Sequence, residues 1–139
     1  MYNNNLKKGF TLIEIMLVVI IIGIIGAMVF PRLTGHAREA RITQARTQIE
    51  GFRSALQMYE MHNDRFPTTE QGLSALVTEP STNPPPNWRG PYIETIPDDP
   101  WGNPYQYRSP GQDGRDYEIV SYGPDGIEGT DDDIKSWER

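Results

Sequence analysis

Between Phe10 and Phe30 lies a 21-residue apolar run whose only ionisable side chain is Glu14. As a helix rising ~1.5 Å per residue it would extend ~31 Å, enough to cross the hydrocarbon core of a bilayer. In a chain of 139 residues and 37% hydrophobic content, this run takes a large share of the apolar side chains. Roughly a hundred residues remain for one folded body, a size at which a single core gives only modest stability. Lys7 and Lys8 stand directly before the run. The positive-inside rule therefore predicts a cytoplasmic N-terminus, with everything after Pro31 on the far side.

Hydropathy alone fits a plain signal anchor equally well, but three details favour a processed anchor. Secretory signals carry their small-residue cleavage site after the apolar run, whereas here the small residue, Gly9, precedes it. Cutting after Gly9 would discard a short polar leader, residues 1–9, and keep the anchor. Glu14 lies inside the apolar run, where an ionised carboxylate costs up to ~2.5–3.5 kcal/mol on centre-of-bilayer scales. Such a group requires a cationic partner or satisfaction within its own chain. The cut would also create an ammonium group on Phe10, the one cation available to the apolar segment.

The chain has no cysteine, so neither disulfides nor thiolate metal sites can fasten it. It carries 13 basic and 19 acidic residues, a net charge of −6. Losing Lys7 and Lys8 would leave 11 basic residues, making the remainder more acidic. Nucleic acid is thereby disfavoured as a partner, because phosphate binding needs clustered Lys and Arg.

Beyond Pro31 the pattern becomes amphipathic. Ile42, Ala45, Ile49, Phe52, Leu56 and Tyr59 recur at steps of three and four, with Arg41, Gln44, Arg46, Gln48, Glu50 and Arg53 between them. This predicts a helix to about His62, with Asn63 near its C-cap and the stripe covered by the C-terminal region. Pro31, which lacks an N–H and crowds the preceding turn, predicts a break between residues 10–30 and 31–63. Gly23, Gly26 and Gly35 weaken the same stretch. In residues 64–139, Thr68 and Gln71 are spaced as a capping box, predicting a helix start there. Pro80–Pro91 reads as a loop, Tyr92–Ile96 as a short extended piece, and Asp99–Pro104 as a dense turn. Tyr105–Ser109 and Asp116–Tyr122 read as strands joined through Gly111 and Gly114. The expected class is α+β, one long helix carrying a small antiparallel sheet.

Tyr122–Ile134 places Asp125, Glu128, Asp131, Asp132 and Asp133 in a glycine-containing loop. Carboxylates this close repel one another unless a cation collects them, and calcium accepts six to eight oxygens in flexible geometry. The spacing is not that of an EF-hand. From the residues alone, a solvated acidic turn and a metal cradle are both open. Enzyme chemistry finds little footing: His36 and His62 are isolated on the predicted helix, no thiol exists, and no serine sits in a G-x-S-x-G setting.

Lys8-Gly9-Phe10-Thr11-Leu12-Ile13-Glu14 resembles the processing motif of type IV prepilins and type II secretion pseudopilins. Phe66–Leu73 and Asp99–Tyr105 resemble two signature stretches of the major pseudopilin family of type II secretion, so the likeness spans Lys8 to about Ile134. The resemblance implies a type IV pilin-like fold with a calcium-binding C-terminal loop, and a structural subunit that is no enzyme. It implies cleavage between Gly9 and Phe10 by a prepilin peptidase, methylation of the Phe10 amine, and Glu14 facing that amine on a neighbouring subunit. Pro31 would mark a stretch that bends or unwinds in the fibre. Calcium would be held by the side chains of Asp125, Asp132 and Asp133 and the carbonyls of Tyr122 and Thr130, with Asp131 and Glu128 in reserve.

Further implications are residence in the inner membrane of a Gram-negative bacterium, with a periplasmic C-terminal domain, and membrane lipid as surroundings before assembly. The chain would then polymerise with itself, alongside minor pseudopilins and an inner-membrane assembly platform, into the periplasmic fibre that drives export of folded proteins. A type IV pilin or minor pilin of a surface fibre is the alternative. It shares the whole N-terminal pattern, but commonly closes its C-terminal region with a disulfide that this chain cannot form.

Overall fold

The computed structural model describes residues 9–138, with backbone alone for residues 30–34. One helix, α1 (Leu12–Asn63), is followed by a short 3₁₀ turn at Leu73–Leu76 and a three-stranded sheet. The sheet comprises β1 (Gln106–Arg108), β2 (Glu118–Ser121) and β3 (Ile134–Lys135), antiparallel in the order β1-β2-β3. The chain divides into two compact units, one ending at Arg38 and one spanning Glu39–Arg139.

The helix break expected at Pro31 is absent: α1 continues through it. A proline deletes one i→i−4 bond, a loss of about 3 kcal/mol, yet the bonds on either side can carry the helix across the gap. The division between units accordingly falls at Arg38/Glu39 and not at the proline.

In the first unit the apolar residues find no cover in their own chain. Leu12–Val29 has a mean hydropathy of 2.9 and is entirely unburied. In the second unit α1 behaves oppositely. Ala45, Ile49, Phe52, Leu56 and Tyr59 are all buried, Ile42 packs at the edge, and Ala55 widens the stripe. Against them lie Leu73, Ala75 and Leu76 of the 3₁₀ turn, Tyr105, Ile119 of β2 and Ile134 of β3. The Phe52 and Tyr105 rings meet edge to face at 5.1 Å, a geometry that aligns ring edge with ring face. At the end of α1, buried Asn63 donates through Nδ2 to the Tyr59 carbonyl (2.8 Å) and accepts from the Asn87 N–H (3.2 Å). Asp64 then turns left-handed, and its N–H closes on the Glu60 carbonyl.

The strands occupy the centres of the two expected runs, with Tyr107 opposite Ile119 and Arg108 opposite Glu118. β3 was not expected. Its Ile134 pairs with Ser121, so the end of the acidic motif is itself sheet. The helix expected from Thr68 is only partly realised. Thr68 and Gln71 do exchange both capping-box bonds (3.0 and 3.3 Å). Gly72, however, adopts φ +59°, which ends the turn before the 3₁₀ segment begins. Gln71 Nε2 also donates to the carbonyls of Thr82 and Asn83, tying down the proline-rich loop. Tyr92–Ile96 is no strand: the N–H groups of Tyr92 and Ile93 both go to the single carbonyl of Leu76. Pro91 and Pro97 flank the piece and have no N–H for a ladder.

Two buried tyrosines differ in one respect. The Tyr59 hydroxyl has no hydrogen-bond partner among the described residues, and burial raises its pKa. The Tyr105 hydroxyl donates to Gln48 Oε1. Tyr59→Phe is expected to leave the melting temperature unchanged or raise it. Tyr105→Phe should lose about 1 kcal/mol, several degrees in Tm for a body of this size. Thermal unfolding of the two variants side by side checks this, and an equal loss in both would contradict the described packing.

Candidate assembly motif and metal loop

Gly9 and Phe10 precede α1 and are exposed, Phe10 at 82%. Lys7, Lys8 and the rest of the leader lie outside the described residues. Glu14 sits in the first turn of α1. Its Oε2 accepts from the Thr11 N–H (3.2 Å) and the Thr11 hydroxyl (3.4 Å), while the Glu14 N–H donates to Thr11 Oγ1 (3.3 Å). This is a capping box, in which side chain and backbone at the two positions satisfy each other's helix-end groups. The sequence reading missed it, although Thr-x-x-Glu is its signature. Among the described residues every hydrogen bond to the carboxylate falls on Oε2.

The acidic loop joins β2 to β3. Asp125 is exposed, and its Oδ1 accepts from the Ile127 N–H (3.0 Å). Asp133 Oδ2 accepts from the Gly129 N–H (2.9 Å), while its Oδ1 is buried with no hydrogen-bond partner. The Thr130 carbonyl accepts from the Asp133 N–H (3.3 Å). Asp132 and Tyr122 are half-buried, and Asp131 is exposed. Glu128 lies 3.9 Å from Arg108. Burial, with Glu128 nearby, raises the Tyr122 pKa. The loop's two ends meet at Gly123 (φ +67°), where a Cβ would stand 2.5 Å from the Asp132 carbonyl oxygen.

These donors are hard oxygens of the kind calcium accepts. A buried carboxylate oxygen without a donor is costly, which makes Asp133 Oδ1 a position where a cation would fit. The expected carboxylates do not yet converge, since no group of three or more acidic or histidine side chains among the described residues is gathered for a metal. What fits such an ion is the orphaned Asp133 oxygen together with the hard-oxygen chemistry of the donor set.

The loop's entrance is held from outside it. Asp99, 4% exposed, accepts through Oδ1 from the N–H groups of Trp101 (3.1 Å) and Asn103 (2.8 Å). Its Oδ2 accepts from Ser121 Oγ (2.6 Å), which in turn accepts from the Gly123 N–H (3.2 Å). Asn103 Nδ2 donates to the Gly123 carbonyl (3.2 Å). The turn at Asp99–Pro104 was legible in the sequence; its grip on the loop was not, because twenty residues separate the partners.

A family model described as type II secretion system protein G matches residues 32–137, and a prokaryotic N-terminal methylation motif matches residues 4–30. The chain belongs to the type II secretion system protein G family. It is 50% identical over 133 residues to the type II secretion system core protein G of Aeromonas hydrophila, covering 94% of this chain and 92% of that one. It is 46% identical over 138 residues to that of Pseudomonas aeruginosa, covering 96% of each. The crystal structure of the major pseudopilin from the type 2 secretion system of enterohaemorrhagic Escherichia coli is also similar. Its TM-score is 0.69 at 44% identity, covering 77% of this chain and 95% of that one. The fold is therefore that of a type IV pilin-like major pseudopilin, and the chain serves type II secretion as a structural subunit. Its methylation motif and apolar N-terminal helix mark a membrane anchor.

In this pseudopilin Gly123 has no room for a side chain. Gly123→Ala combines a left-handed φ with a backbone clash and should destabilise the second unit by about 2 kcal/mol or more. An unchanged thermal midpoint would mean that the loop's ends do not meet there.

Proposed function

We propose that this pseudopilin is cut between Gly9 and Phe10 by a prepilin peptidase, methylated on the Phe10 amine, and polymerised through α1 into a periplasmic fibre that helps export folded proteins. Before assembly the mature chain resides in the inner membrane of a Gram-negative cell, N-terminus cytoplasmic and second unit periplasmic. Its partners are further copies of itself, minor pseudopilins and the assembly platform. The observation that carries this reading is the one carboxylate in the otherwise apolar, uncovered segment Leu12–Val29 of α1.

Glu14 Oε2 serves the helix cap, and Oε1 would then meet the Phe10 ammonium of a neighbour. In low dielectric each charge alone is strongly unfavourable, and pairing offsets both. The positive end of the helix dipole supports a carboxylate at this position as well.

Two variants separate cap from charge. Glutamine serves a capping box as well as glutamate, so Glu14→Gln keeps the local bonds and removes the charge. Both Glu14→Gln and Glu14→Leu should assemble poorly and secrete poorly. Normal fibres from Glu14→Gln would leave capping as the whole role of this residue. Mass spectrometry of assembled material should find residues 1–9 missing and Phe10 methylated, and an intact Met1 in active fibres would sink the processing scheme.

We further propose that calcium fastens the loop, through the carboxylates of Asp125, Asp132 and Asp133 and the carbonyls of Tyr122 and Thr130. Support comes from the orphaned Asp133 oxygen and from a small body with no disulfide. A ligand bound only by the folded state stabilises it by about 2.7 kcal/mol at a hundred times its Kd. Saturating calcium should raise Tm by several degrees relative to excess chelator. Coincident melts would remove calcium from the account.

A further inference from the structure

We propose that Asp99, Ser121 and Asn103 are positioning residues for the loop's calcium, fixing Gly123 and, through it, the adjoining Tyr122 carbonyl. This deepens the calcium reading above and rests on it. Both polar backbone groups of Gly123 are held from the Asp99–Asn103 turn. Its N–H goes to Ser121 Oγ, whose proton goes to Asp99 Oδ2, and its carbonyl takes the Asn103 amide. Ser121 is fully buried and lies on β2 opposite Ile134 of β3, so the brace stands on the sheet. The turn itself is closed by the Asp99 N–H on the Asn103 carbonyl (2.8 Å) and the Gly102 N–H on the Asp99 carbonyl (2.9 Å).

Gly123 is also where the loop's start crosses its end, at the Asp132 carbonyl. A fixed Gly123 therefore fixes the separation between Tyr122 and Asp132–Asp133, the first and last of the proposed oxygen donors. Supports of this kind tune metal affinity by orienting the ligands, with typical losses of ten- to a hundredfold when removed. Buried Asp99 fits the same purpose electrostatically. Its carboxylate has three hydrogen bonds and, among the described residues, no ion pair. A divalent cation bound in the adjoining loop would offset that charge.

The test is calorimetric titration of calcium chloride into the full chain in detergent micelles, with Tm measured in chelator and in calcium. The variants are Asn103→Ala, at a half-buried site, and the more disruptive Ser121→Ala. The expected result is a Kd raised tenfold or more in both, with a shrunken calcium-induced rise in Tm and a smaller change in the chelator Tm. If Asn103→Ala keeps a Kd within twofold of the parent, the brace is merely structural and the inference is overturned while the calcium reading stands. If the parent chain takes up no calcium, the calcium reading fails and this inference with it. Should Ser121→Ala not fold, Asn103→Ala decides alone.

Discussion

The folded body depends on one apolar stripe, Ala45 to Tyr59 on α1, because the buried apolar residues of the Leu73–Leu76 turn, Tyr105, β2 and β3 all join it in one core. The sheet is only three short strands, too little to bury a core by itself, and the 3₁₀ turn contributes three apolar residues. Neither has a second wall to pack on. Burial of Phe52, Leu56 and Tyr59 is thus what makes the loops worth ordering, and the long polar excursions from Asn63 to Tyr105 are held to the helix and to one another at identifiable bonds. Asn63 to Asn87, Trp88 Nε1 to the Ala75 carbonyl and Tyr107 hydroxyl to the Pro67 carbonyl are three of them.

The same helix has the opposite balance nearer its start. From Leu12 to Val29 no residue is covered, so the chain alone leaves a surface that water does not tolerate. A membrane or a bundle of like helices would remove that surface from water, and the proposed assembly exchanges one for the other. What such an exchange requires is a way to discriminate correct from incorrect register, since apolar contacts are non-directional. In the proposed assembly a single carboxylate would supply it, because an unmatched charge in an apolar bundle is penalised at every register but one.

Much of this was legible in the sequence because the relevant signals are local. The stripe has helical period, the capping box at Thr68 is four residues long, and the anchor is a composition. Where the reading failed, distance or context was responsible. Pro31 was expected to break a helix that continues, since propensity weighs one lost bond while a long helix averages over many. β3 was hidden because Ile134–Lys135 is two residues long and pairs only where β2 has placed Ser121. Tyr92–Ile96 had strand-like residues but no ladder to join. In the acidic loop the clustered carboxylates were evident, whereas the closure at Gly123 and the support from Asp99 join residues about ten and twenty apart. No spacing rule reaches them.

The Thr11–Glu14 box carries this furthest. A carboxylate inside an apolar run looks at first like a group waiting for another molecule. In the single chain it is already engaged, through one oxygen, with the start of its own helix. That bond orients the carboxylate before any partner arrives, so less rotational freedom remains to be lost on pairing. It also lowers the penalty of holding the charge in an apolar setting while the subunit is alone. In the proposed assembly, local capping and intersubunit pairing are therefore successive uses of one group, and the first makes the second easier.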